Sequence, residues 1–388
     1  MKQFLLTVFA LFFCLLLSAQ IITGAEQTNR YFPLLQHKKV AVCFNPTSVI
    51  GSIHLVDTLL SANINIVKIF APEHGFRGEA EAGAVIQSAI DQKSGIPIIS
   101  LYGKNKKPTP EQLRNVDIIL FDMQDVGCRF FTYISTLHYV MEAAAVAKTV
   151  VLILDRPNPN GYFTDGPVLE EKYKSFVGMH PVPVVHGMTI GEYAQMINGE
   201  KWLEDNLVCE LQIIECKNYT HSSRYSLPIK PSPNLGSDEA IYLYPSLCLF
   251  EGTDISLGRG TATPFQVFGH PDLTIGDYYF TPEPIKGVSE NPPQKGKKCR
   301  GFNLTNEAKS NLQGNNSVNL SYLITAYKHF PKEMKFFTSP DFFDKLAGNS
   351  TLRWQIINGR TEEEIRASWQ PALDNFKKTR SKYLIYPE

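Results

Sequence analysis

The 388-residue chain has seven cysteines and no Cys-x-x-Cys pair, so zinc-ribbon and thioredoxin-like readings are excluded. It carries no excess charge: 38 Lys+Arg stand against 38 Asp+Glu, and nothing global argues for nucleic acid or an acidic polymer. There is no Gly-x-Ser-x-Gly elbow for an α/β-hydrolase and no His-Glu-x-x-His for a zinc protease. No Gly-x-Gly-x-x-Gly follows the first strand-like run, which argues against NAD, and the glycines near Arg259 have the wrong spacing for a P-loop. No cofactor and no metal are therefore expected. Repeats and low-complexity tracts are absent as well.

Apart from one N-terminal stretch, long apolar runs are missing. Lys2 precedes Phe4–Leu17, an uncharged run that is short for a spanning helix, and Thr23-Gly24-Ala25 offers a cleavage site. Residues 1–25 therefore read as a signal peptide. The remainder reads as an exported protein, periplasmic or extracellular, with no stable membrane insertion after cleavage. Hydrophobic and charged contents of 43% and 20% are those of an ordinary soluble globular chain. Six cysteines remain after cleavage. Cys209 and Cys216 are close enough in sequence to pair, but buried free thiols are the favoured reading.

What the chain does contain is alternation. Val40–Phe44, Ile64–Phe70, Ile96–Tyr102, Val116–Phe121 and Thr149–Leu154 read as strands. Val56–Leu60, Pro110–Asn115 (capped by Thr109) and Tyr133–Lys148 read as the helices between them. This rhythm predicts an α/β fold: a Rossmann-like, mostly parallel sheet domain over 30–260 and a smaller C-terminal α/β domain over 261–388. Thr189 with Glu192 forms a capping box. Pro282–Lys298, rich in Pro, Gly and Lys without periodicity, reads as an exposed loop or linker.

Three polar loops follow apolar runs and would emerge at one edge of a parallel sheet, where open α/β sheets bind ligands. The first carries Glu73 between Pro72 and His74-Gly75, with Arg77 beyond. A carboxyl at a pocket floor suits a general acid; capping the next segment or pairing with Arg77 is an equal alternative. In the second loop, Asp122 and Asp125 lie three apart and are weak as metal ligands without a histidine cluster. Either one serves equally well as a cap. Arg129 and Tyr133 combine a forked donor with an aromatic face, a pairing that suits a sugar or a carboxylate-bearing ligand. In the third loop, Asp155 and Arg156 divide evenly between structural and binding roles. His186, at a loop-to-helix junction, and the polar segment holding Glu251 and Arg259 complete the candidates. A secreted, carboxylate-rich cleft with aromatic walls leaves glycoside hydrolysis as the leading chemistry.

The motifs themselves are distinctive. Phe70-Ala71-Pro72-Glu73-His74-Gly75, Phe121-Asp122-Met123-Gln124-Asp125-Val126-Gly127-Cys128-Arg129-Phe130, Leu154-Asp155-Arg156-Pro157-Asn158-Pro159 and His186-Gly187-Met188-Thr189-Ile190-Gly191-Glu192 resemble the NamZ-type exo-β-N-acetylmuramidases. These form glycoside hydrolase family 171, formerly a bacterial domain of unknown function. The resemblance continues through Pro231-Ser232-Pro233-Asn234, Glu251-Gly252-Thr253, Gly258-Arg259-Gly260-Thr261 and Phe343-Asp344-Lys345-Leu346-Ala347-Gly348-Asn349, and departs at 282–298. It implies release of terminal N-acetylmuramic acid from the non-reducing end of peptidoglycan-derived saccharides, in a cleft between a Rossmann-like domain and a smaller one. It places the family's favoured catalytic residue on Glu73. Asp122 and Asp125 remain further catalytic candidates, one of them orienting the 2-acetamido group. His74, Arg77, Arg129, Tyr133, Asp155, Arg156, His186, Glu251 and Arg259 are the substrate-binding candidates, and the lactyl carboxylate needs Arg129, Arg156 or Arg259. The alternatives are an exported muropeptide-binding protein without turnover, and a metal-dependent phosphoesterase built on Asp122 and Asp125.

Overall fold

The computed structural model describes residues 20–73, 75–77, 89–311 and 316–388. Its main sheet is built from β1 (Val40–Phe44), β4 (Ile66–Ala71), β5 (Ala89–Ile90), β6 (Pro97–Ser100), β7 (Ile118–Asp122), β8 (Val150–Leu154) and β9 (Leu211–Ile214). The spatial order is β5-β6-β4-β1-β7-β8-β9. All neighbours are parallel except β5, which runs antiparallel along β6. A small hairpin of β2 (Val49–Ile50) and β3 (Ile53–His54) sits after β1.

Every residue of β1 and β7 is buried, because helices cover both faces of the sheet. Side chains alternate between two cores. Val40, Val42 and Phe44 join a cluster with Tyr31 and Leu35 of α1 (Thr28–Leu35) and with Leu55 and Leu59 of α2 (Leu55–Ser61). Ala41 and Cys43 face the opposite cluster, which contains Leu137 and Met141 of α4 (Tyr133–Ala147) and runs on into the C-terminal part through Phe250 and Phe343. The short α3 (Pro110–Leu113) has Thr109 as a capping-box residue, and α5 (Ile190–Gly199) is capped the same way by Thr189 and Glu192. These are the caps that the sequence predicts.

From β1 the chain winds outward through β4 to β6, then returns to the other side of β1 and winds outward through β7, β8 and β9. The order therefore reverses between β1 and β7, and ligands of such sheets gather outside the carboxyl ends at that reversal. Pro72-Glu73, Asp122 and Asp155-Arg156 all lie at that edge.

Beyond β9 come α6 (Asp238–Leu247) and an antiparallel sheet of β10 (Val267–His270), β11 (Tyr278–Phe280) and β12 (Cys299–Asn303) in the order β10-β12-β11. Then follow α7 (Thr305–Asn311), α8 (Ser321–Lys328), α9 (Pro340–Ala347), α10 (Thr351–Ile357) and α11 (Glu362–Arg380). The end of α11 turns back onto the first unit: Arg380 donates to the Gly187 carbonyl at 2.6 and 3.1 Å, and the Tyr386 hydroxyl donates to Asp155 at 2.7 Å.

The six cysteines from Cys43 onward are all buried free thiols. Among the described residues, no helix is long and apolar enough to cross a membrane. The segment that precedes α1 is hydrogen-bonded to the neighbouring strand ends. Ile22 exchanges backbone hydrogen bonds with Lys217 at 2.8 and 3.1 Å, and Gly24 donates to the Asp155 carbonyl at 2.8 Å. A Cβ on Gly24 would meet Ile214 O at 2.4 Å, so this segment is wedged against the ends of β8 and β9. Residues 20–25 are part of the fold.

Candidate active site

Glu73 leaves the carboxyl end of β4 in a turn closed by a hydrogen bond from Gly75 N to the Pro72 carbonyl, with Gly75 at φ +79°. Its carboxylate is half-buried. Thr132, just before α4, donates its hydroxyl to Oε2 at 3.4 Å. The Tyr102 hydroxyl, beyond β6, is hydrogen-bonded to the same carboxylate; burial first, and then the Glu73 charge, push that phenol's pKa upward. Segments that follow β4, β6 and β7 thus converge on one carboxyl.

Glu73, Tyr102, Thr132 and Tyr133 line a cavity of about 310 Å³ with Glu251 and Arg259. Phe130, Phe131, Tyr244, Phe265 and Phe342 wall it. Glu251 and Arg259 come from the segment after α6 and are held as a pair, with Arg259 Nη2 and Nε at 2.5 and 3.1 Å from Glu251 Oε1. The guanidinium also lies 4.9 Å over the Phe265 ring. Gly260 next to it has φ +81°, and a Cβ there would meet Glu283 O at 2.4 Å, so the 282–298 segment packs directly on this corner. Glu251, Arg259 and Phe342 also border a second depression of about 500 Å³, lined by Val288, Ser289, Glu290 and Asn291. The 282–298 segment, predicted as an exposed loop or linker, is a largely exposed loop, and Val288–Asn291 on it also wall the neighbouring depression. It is pinned by hydrogen bonds from Glu283 N to Gly260 O at 2.9 Å and from Gln294 Nε2 to Asp254 O at 2.9 Å.

The remaining described candidates do not line this cavity. Asp122 is fully buried and its two oxygens are taken by Arg156, with Nη2 at 2.8 Å. Burial pushes the Asp122 carboxyl up and Arg156 pulls it back, while Asp122 raises the Arg156 pKa in turn. Arg156 borders a different depression, beside Thr23, Val49 and Tyr225. Arg129 is also fully buried, and its guanidinium donates to the carbonyls of Pro167, Val182 and Leu346 at 2.7–2.8 Å. Asp155 accepts from Thr189 Oγ1, Gly191 N and Tyr386 Oη at 2.7–2.9 Å; burial pushes its carboxyl up to about 6. Arg77 pairs with Asp91 and Asp57 at 3.1 and 3.3 Å and stacks on Phe76. His74 lies outside the described residues.

Asp125 and His186 form a second buried layer. Asp125 Oδ1 accepts from Gly127 N at 2.6 Å, and burial pushes the carboxyl up to about 7. His186 Nε2 is 3.9 Å from Asp125 Oδ1, but burial, with Arg380 and Arg129 nearby, pushes the imidazole down to about 3. The contact is therefore not an ion pair near neutral pH. Among the described residues, no three His, Cys, Asp or Glu side chains gather into a metal-binding group.

Of the candidates, then, the cavity collects Glu73, Tyr133, Glu251 and Arg259. Reasoning from the residues alone passed over Tyr102, Thr132, Ser232 and Asn234, which share the lining. Isolated hydroxyls and amides carry no spacing signal; Ser232 and Asn234 stand out only as part of the Pro231–Asn234 motif.

A doubly wound sheet whose reversal point carries a carboxylate in an aromatic-walled pocket, completed by a second unit, defines a two-unit α/β protein with a small-molecule pocket at its switch point. The family models described as exo-beta-N-acetylmuramidase NamZ match in sequence, the N-terminal one over residues 40–239 and the C-terminal one over 242–386. The peptidoglycan beta-N-acetylmuramidase NamZ of Bacillus subtilis (strain 168) is 40% identical over 373 residues, covering 92% of this chain and 89% of that protein. Crystal structures of two DUF1343 family proteins from Bacteroides fragilis NCTC 9343 superpose with TM-scores of 0.87 and 0.80, at 48% and 29% identity. They cover 95% and 94% of this chain and 100% and 99% of their own. The chain belongs to the NamZ exo-β-N-acetylmuramidase family.

Proposed function

We infer that this protein is an exo-acting glycosidase that releases terminal N-acetylmuramic acid from the non-reducing end of peptidoglycan-derived saccharides. Family membership supports the reaction class. The observation that carries the reading to this site is the placement of Glu73 and the Arg259–Glu251 pair in the lining of one aromatic-walled cavity. A volume of about 310 Å³ lies at the small end of ligand pockets, as suits an enzyme that takes a chain end. Aromatic faces stack on sugar rings, and Arg259 is the one of the three candidate arginines that lines the cavity and so can meet a lactyl carboxylate. In this reading Glu73 gives its proton to the glycosidic oxygen as the bond from C1 breaks and the rest of the saccharide departs as an alcohol; water supplies the hydroxyl that ends on C1 and the proton that restores Glu73. Asp122 does not fit a metal-dependent phosphoesterase, since Arg156 occupies both of its oxygens.

The protein is further proposed to be exported and to act in cell-wall turnover. The apolar run at Phe4–Leu17 supports export. Because residues 20–25 pack into the fold, the proposed cut falls after the small residues Ser18-Ala19 rather than after Ala25. Mass spectrometry of the mature N-terminus distinguishes the two.

The test of the activity is a chromogenic N-acetylmuraminide, assayed with and without chelator. The expected result is hydrolysis that a chelator leaves unchanged and that Glu73→Gln abolishes while the unfolding transition is retained. Near-normal turnover by Glu73→Gln would remove Glu73 from its role. Binding without turnover by the wild type would favour a binding protein.

A further inference from the structure

Strand pairing brings Tyr102 to Glu73. β4 and β6 run parallel with Ala71 opposite Ser100, and Leu101 N donates to the Ala71 carbonyl at 2.8 Å. Continued by two residues, that register sets Tyr102 beside Glu73 as both chains leave the sheet. The turn after β6 is fixed by bonds from Tyr102 N to Ser100 Oγ at 3.3 Å and from Asn105 Nδ2 to Ser100 O at 3.2 Å. The Tyr102 ring lines the cavity, and its hydroxyl is bonded to the Glu73 carboxylate. Thr132 arrives from beyond β7. It stands just before α4, where a threonine ordinarily caps the helix, yet it caps no N–H there. Its hydroxyl goes to Glu73 Oε2 instead, at 3.4 Å.

We propose that Tyr102, seconded by Thr132, is a positioning residue that aims the Glu73 carboxyl and steadies the charge appearing on it as its proton passes to the glycosidic oxygen. This rests on the sugar-hydrolase reading above and deepens it. A hydroxyl binds a carboxylate more tightly than a carboxylic acid. The Tyr102 bond therefore strengthens during proton transfer and favours the transition state over the ground state. Two donors from different segments also restrain the carboxyl from swinging about its own bonds, which keeps the acid within reach of the scissile oxygen. The other ionisable groups around Glu73 are engaged elsewhere. Tyr133 feels the Glu73 and Asp125 charges but gives its hydroxyl to the Pro231 carbonyl at 3.3 Å. Asp125 accepts from Gly127 N, and Glu251 and Arg259 in the cavity lining are paired with each other.

The experiment is a full pH profile of Tyr102→Phe on a chromogenic N-acetylmuraminide, a variant that keeps the ring in the cavity wall and removes only the hydroxyl. Plateau kcat is expected to fall about 3–10-fold, the value of one hydrogen bond, while KM stays within about twofold. The alkaline limb of the kcat profile, on which the acid loses its proton, is expected to move up by about 0.5–1 pH unit, because the carboxylate has lost a donor. A tyrosine that only shapes the wall would leave that limb in place. Thr132→Val removes the longer bond and is expected to shift kcat and the limb in the same directions by less; it carries the test if Tyr102→Phe does not fold. A limb that stays in place overturns the proposal whatever happens to kcat, and so does a rise in KM alone, which would make Tyr102 a substrate contact. Either result leaves the hydrolase reading standing as long as wild type cleaves the muraminide, whereas failure of that reading would show as no cleavage by wild type.

Discussion

Arg156 grips both oxygens of Asp122, Nε on one and Nη2 on the other, and the pair is almost without solvent exposure. Two residues that in sequence look like an acid and a binding cation are instead each other's partner. They sit one strand apart at the reversal of the sheet, where a bare charge would be costly. Nη2 also donates to the Val49 carbonyl at 3.2 Å, tying the loop after β1 to the ends of β7 and β8.

Removing one member should therefore act on stability before chemistry. Arg156→Ala leaves a buried carboxylate uncompensated and is expected to cost about 3–5 kcal/mol in urea unfolding. The double variant Asp122→Leu with Arg156→Met is expected to cost much less, because both charges leave together. Glu73→Gln is expected to show the converse pattern, with turnover lost and the unfolding curve unmoved. Equal unfolding midpoints for wild type and Arg156→Ala would contradict this assignment.

Arg259 makes the opposite case, a cation at the cavity with donors to spare. Nε and Nη2 serve one oxygen of Glu251, leaving other guanidinium hydrogens for a second acceptor. Arg259→Gln is expected to raise KM for a chromogenic N-acetylmuraminide by about 10–100-fold, the range for a charge-assisted hydrogen bond. With the N-acetylglucosaminide, which lacks the lactyl group, the change should be a few-fold at most. Equal losses on both substrates would place the lactyl contact elsewhere.

The fold is more legible than the site, for a physical reason. Strands such as Val40–Phe44 are set by local apolar runs, and the helices after Thr109 and Thr189 by caps within four residues. These signals are short-range and survive in a single sequence. The antiparallel strands Val267–His270 and Tyr278–Phe280 are too short to read as apolar runs, and their pairing with Cys299–Asn303 is settled by contacts across the loop between them. Among the site residues, strand-end position is readable for Glu73. Whether a buried charge is already taken is not, because the answer lies in partners 34 residues away for Asp122 and up to 217 away for Arg129.

Asp125 offers a test by pH. Burial lifts its carboxyl from 3.8 to about 7, so the native state holds the proton more tightly than the unfolded chain. Stability from this group is complete below about 4 and is lost as pH rises through 7. Asp125→Asn keeps the acceptor for Gly127 N and removes the titration. The variant is expected to be more stable than wild type by up to about 4 kcal/mol above pH 7, with the difference vanishing near pH 4. His186, pushed down to about 3, has the opposite dependence, its contribution being lost as pH falls, so it does not produce a gap that widens toward pH 8. Paired thermal melts at pH 4.5 and 8 measure the effect, and a gap that does not widen with pH would show the carboxyl to be ionised throughout.

Arg129 couples the two units mechanically. Nη1 donates to the carbonyls of Pro167 and Val182 and Nη2 to that of Leu346, at the end of α9, so one buried fork ties a loop of the first unit to a helix of the second. The neighbouring backbone is shaped to admit it: Gly348 has φ +84°, and a Cβ there would meet Arg129 Nη2 at 2.7 Å. A lysine has the charge without the planar fork and cannot reach three fixed acceptors at once. Arg129→Lys is therefore expected to lose at least one charge-assisted hydrogen bond, and about 2–4 kcal/mol of stability with it. Gly348→Ala should produce a similar loss by pushing the guanidinium away. The two losses should not add in the double variant, because both act through the same contact. Since the cavity is lined from both units, turnover should fall along with stability in these variants, and additive unfolding energies would show that Gly348 and Arg129 act separately.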